Sequence, residues 1–164
     1  MCHQKGLTIL ELLICFFILS VLAVIAVPAL RSMVSAYRIE NAAHAVNDAL
    51  MLARSSALAQ QKEVRLQVVA GDQWCVGITT ASRCNCLQAG SCDLGRSVSD
   101  AYPGVQLSVE GLVEDQVVFD RHRGTAMARV HFVLFERLMA MTIQLRPVGS
   151  TTFCSHTISG YQRC

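Results

Sequence analysis

Apolar residues follow one another almost without interruption from Leu7 to Leu30, with Glu11 the sole charge among them and Lys5 and Gly6 immediately before. The uncharged residues 12–30 would rise about 29 Å as a helix, close to the roughly 30 Å hydrocarbon core of a bilayer. The pattern predicts a helix that crosses a membrane.

Beyond that run, Leu30, Met33, Val34, Tyr37, Ala42, Val46, Ala49, Leu50, Ala53 and Ala57 recur at steps of three or four, the period of an amphipathic helix. Pro28 is the one strong breaker between the two stretches, so a single helix from Leu7 to about Gln60, roughly 80 Å long, is expected. The period then shortens. Residues 64–70 and 73–78 read as strands joined by a turn at Gly71-Asp72, followed by strands at 105–109, 116–119, 130–135 and 141–146 and a terminal pair flanking Gly160. Residues 79–104, rich in Ser, Gly, Asp and Cys, are long for a structureless connection and are expected to be ordered by cross-links. The fold class is therefore α+β, a long N-terminal helix packed on an antiparallel sheet.

At 164 residues the chain suits one membrane-anchored helix and one small domain with modest core reserve. Of eight cysteines, Cys2 precedes the apolar run and Cys15 lies in it. Cys75, Cys84, Cys86, Cys92, Cys154 and Cys164 remain, an even set that points to disulfides in an oxidising compartment. Six cysteines permit on the order of 15 connectivities. The favoured pair is Cys154 with Cys164, closing a C-terminal hairpin, with the other four pairing among themselves. A metal site is the competing reading for those four, but C-x8-C-x-C-x5-C lacks the paired knuckles of zinc sites. No metal or cofactor is expected.

A carboxylate in an apolar run costs about 2.5–3.5 kcal/mol at mid-membrane and calls for a partner. If the chain is cut after Gly6, Leu7 supplies an amine four residues before Glu11, and neighbouring subunits can pair the two groups. The residues Lys5-Gly6-Leu7-Thr8-Ile9-Leu10-Glu11-Leu12-Leu13 resemble the type IV prepilin signal. The resemblance implies cleavage after Gly6 by a prepilin peptidase and N-methylation of Leu7, where family members usually carry Phe. Pro28 falls where many pilins have a helix-bending proline. An ordinary secretory signal and a plain membrane anchor are the competing readings, and Glu11 argues against the first.

Ala53-Arg54-Ser55-Ser56-Ala57, Val64, Trp74, Gly77, Val118-Phe119 and Gly124 resemble the GspH/FimT family of pseudopilins and minor pilins. The resemblance implies a leader at 1–6, a transmembrane helix at 7–30, an amphipathic helix at 31–60 and a β-rich periplasmic domain at 61–164. It implies a single-pass subunit of the bacterial inner membrane that assembles with other pilins or pseudopilins, through an assembly platform, into a type II secretion pseudopilus or a type IV pilus. Arg54, Ser55 and Ser56 are expected on the exposed side of the helix, and Trp74 as a core anchor.

Charge is uneven. Residues 72–116 carry two basic and six acidic groups, a balance of −4, whereas 117–164 carry six basic and two acidic, a balance of +4. DNA-binding members of the family have a C-terminal Gly-Arg-x-Arg loop; here Gly160-Tyr161-Gln162-Arg163 keeps the Gly and the last Arg. The alternative of a DNA-binding minor pilin would use Arg121, Arg123, Arg129, Arg146 and Arg163 on phosphates, with Tyr161 stacking on a base. No nucleophile elbow, P-loop, dinucleotide fingerprint or metalloprotease helix appears, so an enzyme is not expected and a membrane-anchored periplasmic enzyme is a minor alternative.

Overall fold

A computed structural model describes residues 9–112, 114–126 and 129–164. The predicted cleavage site, Gly6 and Leu7, lies outside the described residues. Helix α1 spans Ile9–Gln60 and is continuous through Pro28. Two compact units divide after Ser35.

In the first unit every described residue up to Val34 is exposed. The most apolar window of α1 has a mean hydropathy of 2.9 and none of it is buried. Its hydroxyls cost little there, because Ser20 and Ser32 donate back to the carbonyls of Phe17 and Ala29 at 2.7 and 2.8 Å. An all-round apolar surface with these two hydroxyls satisfied internally suits lipid or a bundle of like helices.

In the second unit α1 buries one stripe, Ile39, Ala42, Ala43, Val46, Ala49, Leu50, Ala53 and Ala57. Five of those eight are alanines, so the stripe presents little side-chain bulk to the sheets. The helix stops where Gln61 turns left-handed, at φ 52°, without the glycine that usually takes this position.

Eight strands follow among the described residues: β1 (Val64–Val69), β2 (Cys75–Thr79), β3 (Gly95–Val98), β4 (Gln106–Glu110), β5 (Gln116–Phe119), β6 (Val130–Glu136), β7 (Met139–Leu145) and β8 (Thr151–Cys154). They form two antiparallel four-stranded sheets, ordered β3-β2-β1-β5 and β4-β6-β7-β8. The inward faces supply the core, with Leu66, Trp74, Ile78 and Phe119 from the first sheet side and Leu107, Phe132, Leu134 and Ile143 from the second. Trp74, fully buried, holds the sheets together: its indole N–H donates to the Val105 carbonyl at 3.0 Å, and its ring stacks on Tyr102. The anchor role expected of it is what the geometry shows.

Two expectations need correction. The cysteine-rich connection contains β3, a strand that no period reveals because Gly95-Arg96-Ser97-Val98 has no apolar alternation. The terminal pair flanking Gly160 does not form either. β8 lies upstream and pairs with β7, and the tail returns as one parallel bridge, Cys154 with Gln162. A parallel return cannot be a tight hairpin.

Candidate functional site

Glu11 lies in the first turn of α1 and is exposed, where the positive end of the helix dipole favours a carboxylate. Between Glu11 and Arg31 no charge interrupts the apolar surface.

Disulfides join Cys75 to Cys86, Cys84 to Cys92 and Cys154 to Cys164. Cys15, on the apolar run, is free. The first two bridges lie over the outward face of β2, whose five residues are all buried. A side chain at Gly77 would run into the sulfur of Cys92 and the Cβ of Cys86, so only glycine fits beneath the bridges. Each loop is short, with separations of 11, 8 and 10 residues, and its closure stabilises by roughly 2–3 kcal/mol.

The arginines divide into two groups. Arg121 and Arg123 sit on the turn after β5, and that turn is bonded to the β7–β8 turn through Ala126 N–H to the Pro147 carbonyl at 2.9 Å. Arg146 follows Leu145, which is paired with Val130, so Arg129 stands across from Arg146 in register. All four are exposed, and none takes part in the described ion pairs, which are Arg38–Glu136, Arg65–Glu63 and Arg83–Glu114. Asp120 shapes the first turn by accepting from the backbone of His122 and Arg123, both at 2.9 Å. Those bonds, Arg123 first, hold its carboxyl below the ordinary range.

Tyr161 and Arg163 belong elsewhere. Ser155 N–H donates to the Gln162 carbonyl at 2.9 Å, and Ser155 Oγ donates to the Ala140 carbonyl at 2.7 Å, which ties the tail to the start of β7. Arg146 follows the other end of β7, five residues or roughly 17 Å along the strand from Ala140 to Leu145. Tyr161 is half-buried against the core, its ring 6.4 Å from that of Phe153. Burial and the nearby Glu40 raise its phenol. Tyr161 and Arg163 thus lie at the opposite end of β7 from Arg146, so the six candidate residues do not make one surface.

Arg54 also departs from expectation. Its guanidinium donates to the Gly149 carbonyl at 3.2 Å, and its stem passes against Gly124, so it braces both turns that carry the arginines. Ser55 is exposed, as expected. The length of an arginine stem lets it leave the helix surface for a partner 95 residues away, which helical spacing alone does not reveal.

Sheet A, β3-β2-β1-β5, and sheet B, β4-β6-β7-β8, flank α1 differently. On the β8 side Thr151 Oγ1 donates to Asn47 Oδ1 at 2.6 Å and the His44 and Phe153 rings lie 5.2 Å apart. On the β3 side there is a groove of about 310 Å³, lined by Ala45, Asp48, Leu52, Ile78, Gly95 and Arg96 among others. No sequence signal pointed to it. Among the described residues no group of metal-ligating side chains is assembled.

Two solved structures resemble the fold, both of the type IV minor pilin FimU of Pseudomonas aeruginosa. One crystal form matches with a TM-score of 0.52 at 17% identity, covering 70% of this chain and 90% of that one. The other gives 0.51 at 18%, covering 70% and 86%. No curated protein matches the chain. The prokaryotic N-terminal methylation motif matches residues 1–27. The family described as type II transport protein GspH matches residues 42–156, more than half of the sequence. With a methylation motif, an apolar N-terminal helix and a two-sheet pilin-like domain in register along one chain, this protein belongs to the GspH family of pilin-like proteins.

Proposed function

We propose that the chain is a minor pilin or pseudopilin that is processed between Gly6 and Leu7 by a prepilin peptidase and N-methylated on Leu7. It waits in the inner membrane with its domain in the periplasm. It then enters a type II secretion pseudopilus or a type IV pilus through the assembly platform, and so supports secretion or pilus biogenesis. One observation carries this reading: α1 exposes apolar side chains on every side over residues 12–30, and the methylation motif lies across its start. Leaving lipid for a bundle of like helices keeps that surface out of water. Glu11 acts as a registry device by pairing with the Leu7 amine of a neighbour, a charge-assisted contact that gains strength in apolar surroundings.

Glu11→Ala is expected to leave the domain folded and the protein in the membrane but to remove it from filaments. Wild-type amounts of the variant in isolated filaments would sink the registry role. A Gly6 substitution is expected to yield a protein heavier by the leader, read by intact mass.

A second reading, a DNA-binding minor pilin, has one observation in its favour, four exposed arginines outside the described ion pairs, three on the joined turns and Arg129 in register with Arg146. On this reading Arg123→Ala and Arg146→Ala each lower the salt dependence of DNA binding by about one phosphate contact. Arg163→Ala has little effect. Equal losses at all three positions would disprove the assignment to the turns.

A further inference from the structure

Each sheet in a two-sheet domain has two outer strands, and a strand edge leaves a row of N–H and C=O groups that can be taken up by another chain. Three of the four outer strands carry one isolated bridge each on that side. β4 bridges Gly71 through Leu107, β5 bridges Ala126 through Phe119, and β8 bridges Gln162 through Cys154. Among the described residues β3 has no bridge on its outer side. Ser99 N–H donates to the Trp74 carbonyl at 2.9 Å, so the alternation of an antiparallel ladder turns Ser97 toward β2 and leaves the backbone groups of Arg96 and Val98 facing outward.

That outer side borders the groove. Ala45 on α1 and Gly95 on β3 have too little side chain to fill it, and Leu52, nearly half exposed, and Ile78 give it an apolar floor. A charge on an edge strand ordinarily wards off pairing. The Arg96 guanidinium is instead drawn to the cysteine loop, donating to the carbonyls of Cys86 and Leu87 at 3.0 and 3.3 Å. Asp48, exposed on the helical wall, is left as the charge facing an incoming chain.

We propose that this groove receives an extended segment of a neighbouring pilin-like subunit of different sequence, which pairs with β3 as a fifth strand of sheet A and sets a basic side chain against Asp48. Backbone bonds to Arg96 and Val98 supply the pairing, and alternate side chains enter the apolar floor. A second copy of this chain fits poorly. Each of its other outer strands already holds one bridge, and pairing β3 with β3 is an isologous contact that closes a dimer, whereas filament growth needs heterologous contacts.

The proposal rests on the filament reading, and hydrogen exchange separates the two. The full chain is compared in detergent and in filaments isolated from cells that express it, with amide exchange resolved by residue. The expected result is slowing of the Arg96 and Val98 amides by at least about 100-fold in filaments, with the Arg121 and Arg123 amides unchanged. Ala45→Trp, which fills the groove from the helix side, should keep the exchange of β1 and β2 while losing the protection at Arg96 and Val98. Asp48→Lys should weaken incorporation, and Asp48→Glu should restore it. Filaments that contain the chain with Arg96 and Val98 exchanging as in detergent overturn the groove and leave the filament reading intact. Protection that appears in detergent on raising the concentration of the chain overturns the proposal in favour of self-pairing. Absence of the chain from filaments overturns both.

Discussion

The two halves of α1 share one backbone and obey opposite rules. Residues 9–34 expose large apolar side chains all round, while residues 36–60 bury a stripe built mainly of alanines and expose Asn41, His44 and Asp48 outside it. In the first half bulk stands on every side, as suits a membrane anchor. In the second, side-chain size is set by how near the sheets come. The difference shows that helix propensity explains little here; each half is defined by its solvent.

The largest test of that contrast is truncation. Leu50→Ala, at a fully buried site, should destabilise the domain by about 2–5 kcal/mol, whereas Leu19→Ala, exposed in the apolar half, should leave domain unfolding unchanged. Denaturant midpoints followed by near-UV circular dichroism check this, and a matching loss for Leu19→Ala would erase the distinction. Next comes charge. Glu11→Ala should favour the membrane-inserted state by up to about 3 kcal/mol while abolishing assembly, and Glu40→Ala should change neither detectably. Membrane fractionation after alkaline wash gives the readout. Enlargement follows: Ala53→Leu should cost about 1–3 kcal/mol by overpacking, and Ala23→Leu should be tolerated or slightly favourable for insertion.

The smallest effect is expected with pH, and only in the domain. The backbone N–H groups of Arg123 and His122 hold Asp120 below its ordinary value of 3.8. For Asp93, burial works upward, but hydrogen bonds from Thr79 and Thr80 outweigh it and the net shift is also downward. A carboxyl depressed in the folded state contributes stability that is fully present above the unfolded value and is lost as pH falls through the folded one. Melting temperature should therefore drop more steeply below about pH 4 in the wild type than in Asp120→Ala. Parallel curves for the two proteins would show that the turn contributes no such linkage.

Much of the fold was legible because it depends on local periods. The helix ends at Gln60, where the apolar steps of three and four cease, and β5 coincides with its predicted bounds at 116–119. The strand that escaped, β3, is held by pairing with β2 and by the disulfides around it, and not by any alternation of its own. Arg54 escaped for a related reason, since its carbonyl partner lies far along the chain. The candidate phosphate-contacting set fared unevenly. Clustering of arginines in the C-terminal third was visible, but a count of charges carries no distances. Strand register brings Arg129 beside Arg146 and sends Arg163 to the other end of β7.

By itself, the sequence determined the membrane-suited helix, the class of signal at its start and the need for cysteine staples. Those properties depend on solvent preference and short-range spacing, which any window of residues carries. Tertiary structure alone decided which outer strands carry a bridge, why Gly77 lies beneath two disulfides and which flank of α1 is left as a groove. These follow from where distant segments meet, and that is fixed only when both sheets close on the alanine stripe.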